Sequence, residues 1–133
     1  MAAWFVAWLG AAIAFLIADG LWLGVVMKGY YMKHLAPIKR DSFKTIPAVL
    51  FYFAYTVGIV LLAIEPSGEP VSIGSVTLAG AIVGFVAYGT YNMTNHCTLA
   101  NWPAAVSWVD WPWGTVATAV ASACGAASYN FFV

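Results

Sequence analysis

Four long stretches of the chain are apolar almost throughout, and the polar residues gather between them or at a few fixed places inside them. A membrane-crossing helix needs roughly 20 mainly apolar residues, and windows of that kind fall at about 4–27, 47–64, 75–92 and 104–130. The pattern predicts an all-α chain forming one domain, an integral membrane four-helix bundle. The first span opens on Trp4 and Trp8 and carries Asp19 within it; Gly10, Ala14 and Ala18, and then Gly20 and Gly24, recur at a spacing of four. Such rows of small residues let another helix come close. The second span starts with Pro47 at a tolerated first-turn position and places Tyr52, Tyr55 and Thr56 in its first half.

The third span divides in two. Gly80 and Gly84 form a GxxxG pair suited to helix packing, whereas Tyr88, Tyr91, Asn92 and Asn95 follow at offsets of three, four and seven, along one helical face that has hydrogen bonds to make. The start of the fourth span has two solutions. A long helix can open after Pro103 and kink at Pro112, or Asp110 can cap a helix that begins at Trp111.

The connecting segments set a direction. All five basic residues, Lys28, Lys33, Lys39, Arg40 and Lys44, fall between the first two spans, while the next connection carries Glu65 and Glu69. By the positive-inside rule this predicts a cytoplasmic basic segment and both termini on the non-cytoplasmic side. Composition agrees with the spans: 63 % hydrophobic and 8 % charged residues, against about 25 % charged in soluble domains, with a mean hydropathy of +0.86. No basic tract is interleaved with stacking aromatics, so no nucleic-acid partner is predicted. No Lys or Arg precedes the first apolar run, which is also too long for a signal peptide, so it is expected to be a retained span. Two cysteines, Cys97 and Cys124, are expected near opposite faces and free. The Asn92-Met93-Thr94 triplet lies at the wrong depth and on the wrong side for glycosylation.

Candidate chemistry centres on Asp19. A carboxylate inside a span costs roughly 2.5–3.5 kcal/mol on insertion scales and normally faces the bundle interior with a partner. Asp19 lies about 12 Å from the end of its span at 1.5 Å per residue, a depth close to that of Tyr55 and Tyr88. The sequence therefore predicts a polar pocket in the cytoplasmic half, built from Asp19, Tyr55, Tyr88, Tyr91, Asn92, Asn95 and Asp110. In it the Asp19 carboxyl is expected within hydrogen-bonding reach of the 88–95 face, or one water away. Helix adhesion alone is the competing role for Asp19, and capping for Asp110. His34, His96 and Cys97 are metal-ligand types without the spacing of a closed site, so no metal is predicted. No cofactor is specified.

The run Thr90-Tyr91-Asn92-Met93-Thr94-Asn95, followed by Thr98-Leu99, Trp102-Pro103, Asp110 and Trp113-Gly114-Thr115, resembles the signature of the bacterial membrane-protein family called domain of unknown function 2177. The resemblance extends to Asp19, Phe51-Tyr52, Tyr55 and Gly58. Where that family more usually carries Asp, this chain has Asn92. The resemblance implies a four-span fold in the bacterial inner membrane and no established activity.

Three functions fit these residues. One is a non-catalytic membrane subunit or small protein that binds a lipid-like or quinone-like molecule, with membrane lipids as partners and small-residue faces serving a homo-oligomer or a larger membrane complex. Another is a membrane-embedded lipid-modifying enzyme using Asp and Tyr as acid and base. The last is a proton-coupled carrier, which the lack of internal repeats disfavours.

Overall fold

A computed structural model describes residues 1–133, all helix and connecting turns with no strand. The first helix, α1, is α-helical over Ala2–Leu21 and continues through a π-helical turn at Trp22–Val26. Met27, with φ −112° and ψ 12°, breaks it and starts the short α2, Lys28–Leu35. Thr45–Ile59 and its π-helical extension Val60–Ile64 make α3, with Pro47 in the first turn, where its missing N–H costs nothing. Glu65 ends α3 in the left-handed region at φ 47°, and Gly68 at φ 96° supplies the turn that follows. Ile73–Thr98 is α4, capped by the Ser72 hydroxyl, and Ala104–Phe132 is α5, which opens after Pro103 and runs through Pro112. Of the two starts open to the fourth span, the long helix is the one adopted. Asp110 lies inside it and caps nothing.

Three helical runs, Ala2–Val26, Thr45–Ile64 and Ile73–Thr98, are each long and apolar enough to cross a membrane. Large apolar side chains point outward along them, including Phe5, Leu9, Ile13, Leu16 and Ile17 of α1. A water-soluble monomer rarely exposes apolar surface so continuously. The interior holds small side chains instead, with Ala7 and Ala11 of α1 meeting Ala117, Ala121 and Ala126 of α5 around Phe15, Ile59, Ile64 and Tyr129.

Helix α5 is the centre of the molecule, packed along both α1 and α4. A Cβ at Gly80 would lie 2.2 Å from the Ser122 hydroxyl, and one at Gly84 would lie 2.6 Å from the Gly114 carbonyl. Gly10 meets Ser128 in the same way, at 2.3 Å. The GxxxG pair of the third span is therefore spent inside the chain, against α5. Gly20, Gly24 and Gly58 have nothing within 4 Å. The Val60–Ile64 end of α3 packs against α4, while the rest of α3 leans on α1. Beyond that end α3 and α4 separate around a cavity, where the Tyr55 and Tyr88 rings still meet edge to face. At the other end of the molecule Asn130 pairs with both backbone groups of Val71 at 2.8 Å, and the Tyr129 hydroxyl accepts from Gly68 N–H at 2.7 Å, which clamps the 65–72 turn to the end of α5.

Candidate functional site

The cavity occupies about 400 Å³ in the half of the molecule that carries the basic segment. Asp19 and Leu23 reach it from α1, Phe51, Tyr52 and Tyr55 from α3, Ala87, Tyr88 and Tyr91 from α4, and Asp110 from α5. Leu23, Phe51 and Tyr91 are 40 %, 45 % and 55 % exposed and form its rim, whereas Asp19 is only 5 % exposed.

Each carboxylate oxygen accepts a hydrogen bond. Tyr52 donates its hydroxyl to Asp19 Oδ2 at 2.5 Å, and the Trp113 indole N–H reaches Asp19 Oδ1 at 3.2 Å. Tyr31 of α2 donates to Asp110 Oδ1 at 2.9 Å, and the Asn92 amide donates to Asp110 Oδ2 at 2.7 Å. All four donors are neutral. The five basic side chains are exposed, and none bonds either carboxylate.

A pair of stacked indoles joins the two carboxylates. Trp22 and Trp113 lie parallel, 4.2 Å apart with 4° between their planes. Trp113 holds Asp19, while the Trp22 N–H donates to the Tyr31 hydroxyl at 3.2 Å, and Tyr31 in turn donates its O–H in a hydrogen bond to Asp110. Aromatic pairs of this kind are worth about 0.5–1.5 kcal/mol beyond their area. The π-helical turn begins at Trp22, and such turns often mark functional positions in helices. Burial pushes the Tyr31 phenol above its ordinary value; the Trp22 N–H works against that shift, and the charge of Asp110 adds to it.

The tyrosines are fixed individually. The Thr118 hydroxyl donates to the Gly114 carbonyl at 2.7 Å, so Tyr55, 2.7 Å from the same oxygen, must be the donor to it. The Tyr88 ring packs where a Cβ on Gly114 would lie, 1.9 Å from its Cγ, and its hydroxyl has no protein partner. Gly89 likewise makes room for the Trp111 indole, whose N–H reaches the Phe85 carbonyl at 2.8 Å. Asn92 spends its amide hydrogens on Asp110 and on the Tyr88 carbonyl, and its buried Oδ1 has no partner.

Six of the seven predicted pocket residues thus meet around one space: Asp19, Tyr55, Tyr88, Tyr91 and Asp110 line it, and Asn92 anchors Asp110. Asn95, almost a full turn further along α4, does not line it. The bonds of Asp19 differ from the expectation: its direct partners come from α3 and α5, and the α4 face bonds Asp110 instead. Trp22, Tyr31, Tyr52 and Trp113 join the site without being among the residues predicted for it. A signal for two of them was present, since Asp19 and Asp110 are each followed by Trp three residues on, one helical turn away. His34 is used locally, bonding the Tyr30 carbonyl at 2.9 Å. No three His, Cys, Asp or Glu side chains converge in a metal-ligand group.

Comparison with family models matches residues 4–127 to the family described as predicted membrane protein, domain of unknown function 2177. The chain belongs to that family. Membership covers every helix that builds the cavity, and together with the apolar helices it makes the chain a membrane protein. Comparisons with curated proteins and with solved structures return no match.

Proposed function

We propose that this family member is a small multi-pass protein of the bacterial inner membrane that binds an amphiphilic molecule without transforming it. The observation that carries the reading is the cavity itself, about 400 Å³ with aromatic walls and two carboxylates. Small-molecule sites are typically concave and mainly apolar, with a few placed polar groups, at volumes of about 300–1,000 Å³. The rim formed by Leu23, Phe51 and Tyr91 suits entry of a lipid-like molecule from the side.

In this reading α5 is a fourth span, both termini lie on the non-cytoplasmic side, and the cavity lies in the cytoplasmic half. The exposed basic segment supports that direction. Cys97 and Cys124 are both free and exposed. In intact cells Cys97 should react with a membrane-permeant thiol reagent and be spared by an impermeant one; impermeant labelling reverses the orientation. The open faces at Gly20 and Gly24 support association with a second copy or a larger membrane complex.

Native mass spectrometry of protein purified in mild detergent tests the binding role. A stoichiometric lipid or amphiphile should co-purify with the wild type and be lost when Ala87→Trp fills the cavity. Its absence, or its persistence in Ala87→Trp, overturns the reading. One observation favours a lipid-modifying enzyme instead: the Asp19–Tyr52 pair places a carboxylate and a phenol in direct contact beside the cavity. A chemically altered lipid formed by wild type and not by Asp19→Asn would establish that alternative.

A further inference from the structure

Two carboxylates from different helices face one cavity, and the protein supplies neither with a cation. Like charges in a poorly solvated space repel, and neutral donors moderate that repulsion without cancelling it. The remaining wall is unusual for an anionic site. Phe51, Tyr52, Tyr55, Tyr88 and Tyr91 supply aromatic surface from two sides, α3 and α4, and Tyr55 and Tyr88 meet edge to face at 6.1 Å. Aromatic faces attract organic cations through the ring quadrupole, and cages of them are the common receptor for ammonium groups.

We infer that the cavity receives an amphiphile whose head is an ammonium group, held between Asp19 and Asp110 against the tyrosine rings. This rests on the binding role proposed above and names its ligand class. A hard metal ion fits the wall poorly. Calcium takes six to eight oxygen ligands, whereas here most of the surface is apolar or aromatic. An anionic head would face two carboxylates, and a neutral sugar head brings them no opposite charge. An ammonium head supplies it, and the apolar body follows Leu23, Ala87 and Phe51 toward the rim. The Tyr88 hydroxyl, unpartnered in the protein, offers an acceptor to a head that carries N–H groups.

Photoaffinity mapping on the full chain in maltoside micelles tests this. Three probes share a twelve-carbon chain and a diazirine and differ only in their heads: trimethylammonium, maltoside and phosphate. The ammonium probe should label Tyr52, Tyr55, Tyr88 or Tyr91 about tenfold more than either other probe, which corresponds to about 1.4 kcal/mol. Asp19→Asn and Asp110→Asn should each remove most of that preference, and Tyr88→Phe, which keeps the ring, should retain it. Because the wild-type probe comparison is independent of the variants, a variant that fails to fold leaves the test intact. Equal labelling by the three probes, stronger labelling by phosphate, or displacement of the ammonium probe by millimolar calcium overturns the ammonium inference while the binding role survives. Failure of all three to label the cavity overturns both. Competition identifies the source: displacement by phosphatidylethanolamine and not by phosphatidylglycerol points to a membrane lipid, and displacement only by dodecylamine points to a free amine. Either result supports the ammonium class.

Discussion

The two halves of this molecule use glycine in opposite ways along the same central helix. In the half away from the basic segment, Gly80 and Gly10 press against Ser122 and Ser128, and Gly84 against Thr118 and a backbone carbonyl, so α5 lies directly on α4 and α1. In the other half, Gly114 and Gly89 each receive an aromatic ring, Tyr88 in one case and Trp111 in the other. Small against small closes the space between helices. Ring against glycine instead lets large side chains fill and prop the interface, and there α3 and α4 stand apart around the cavity. Tight packing in the first half fixes the helices, and their fixed ends hold the polar groups of the second.

Overfilling the closed half should have the largest effect. Gly84→Leu places its Cβ 2.6 Å from a carbonyl and 2.7 Å from Thr118, and overpacking of this kind costs about 1–3 kcal/mol. Reversible unfolding in mixed micelles should show a loss in that range, with α4 detached from α5 in crosslinking. If stability is unchanged, the two halves are not distinct.

Next comes removal of the carboxylate that the open half is built around. Asp19→Ala leaves the Tyr52 hydroxyl and the Trp113 N–H without their acceptor, at about 1–2 kcal/mol given that the cavity lets water reach part of the gap. Asp19→Asn keeps the shape and an acceptor, so it should assemble normally, and loss of ligand binding in that variant would separate charge from adhesion.

Tyr31→Phe should cost about 0.5–1.5 kcal/mol, because Asp110 loses one donor and Trp22 its acceptor. It should also change the alkaline behaviour. Burial raises the Tyr31 phenol in the folded state, so the folded chain holds that proton when the unfolded chain has begun to release it, at about pH 10. The Tyr31 contribution is then complete below that pH and declines as pH climbs from there toward the raised folded value. Wild type should lose stability above about pH 10 more steeply than Tyr31→Phe; parallel curves would refute the coupling. The smallest effect belongs to Gly20→Ala, where nothing lies within 4 Å: a gain of up to about 1 kcal/mol from helix propensity is expected, and a loss would show that this face is occupied by a partner.

Much of this arrangement could be read from residue order. Helical apolar windows locate the long helices, and the offsets from Tyr88 to Asn92 locate the polar face, because both are local patterns. The apolar window ends at 92 while α4 runs to Thr98, because the added turns are polar in composition; Thr90, Thr94 and Thr98 satisfy their hydroxyls on carbonyls four residues back. Helix α2 falls in what the sequence marks as a connection, because eight residues with basic side chains carry little helical signal. Its anchors are distant in sequence, Tyr30 to the Ala105 carbonyl and Tyr31 to Asp110. Tryptophan and tyrosine are common at membrane interfaces, yet Trp22, Tyr31 and Trp113 turn inward as hydrogen-bond donors. Composition alone does not separate those two uses of one residue type.

The position of α5 in the chain order has a bearing on how the protein is made. It leaves the ribosome after the other helices, yet it completes the packing of both α1 and α4 and supplies Asp110 and Trp113. It is not among the three helices that are long and apolar enough to cross a membrane. Until it arrives, Gly80 and Gly84 face an empty groove and Asp19 has only Tyr52. Closure of the core therefore depends on α5, whose contacts with α1 and α4 are the most extensive in the molecule.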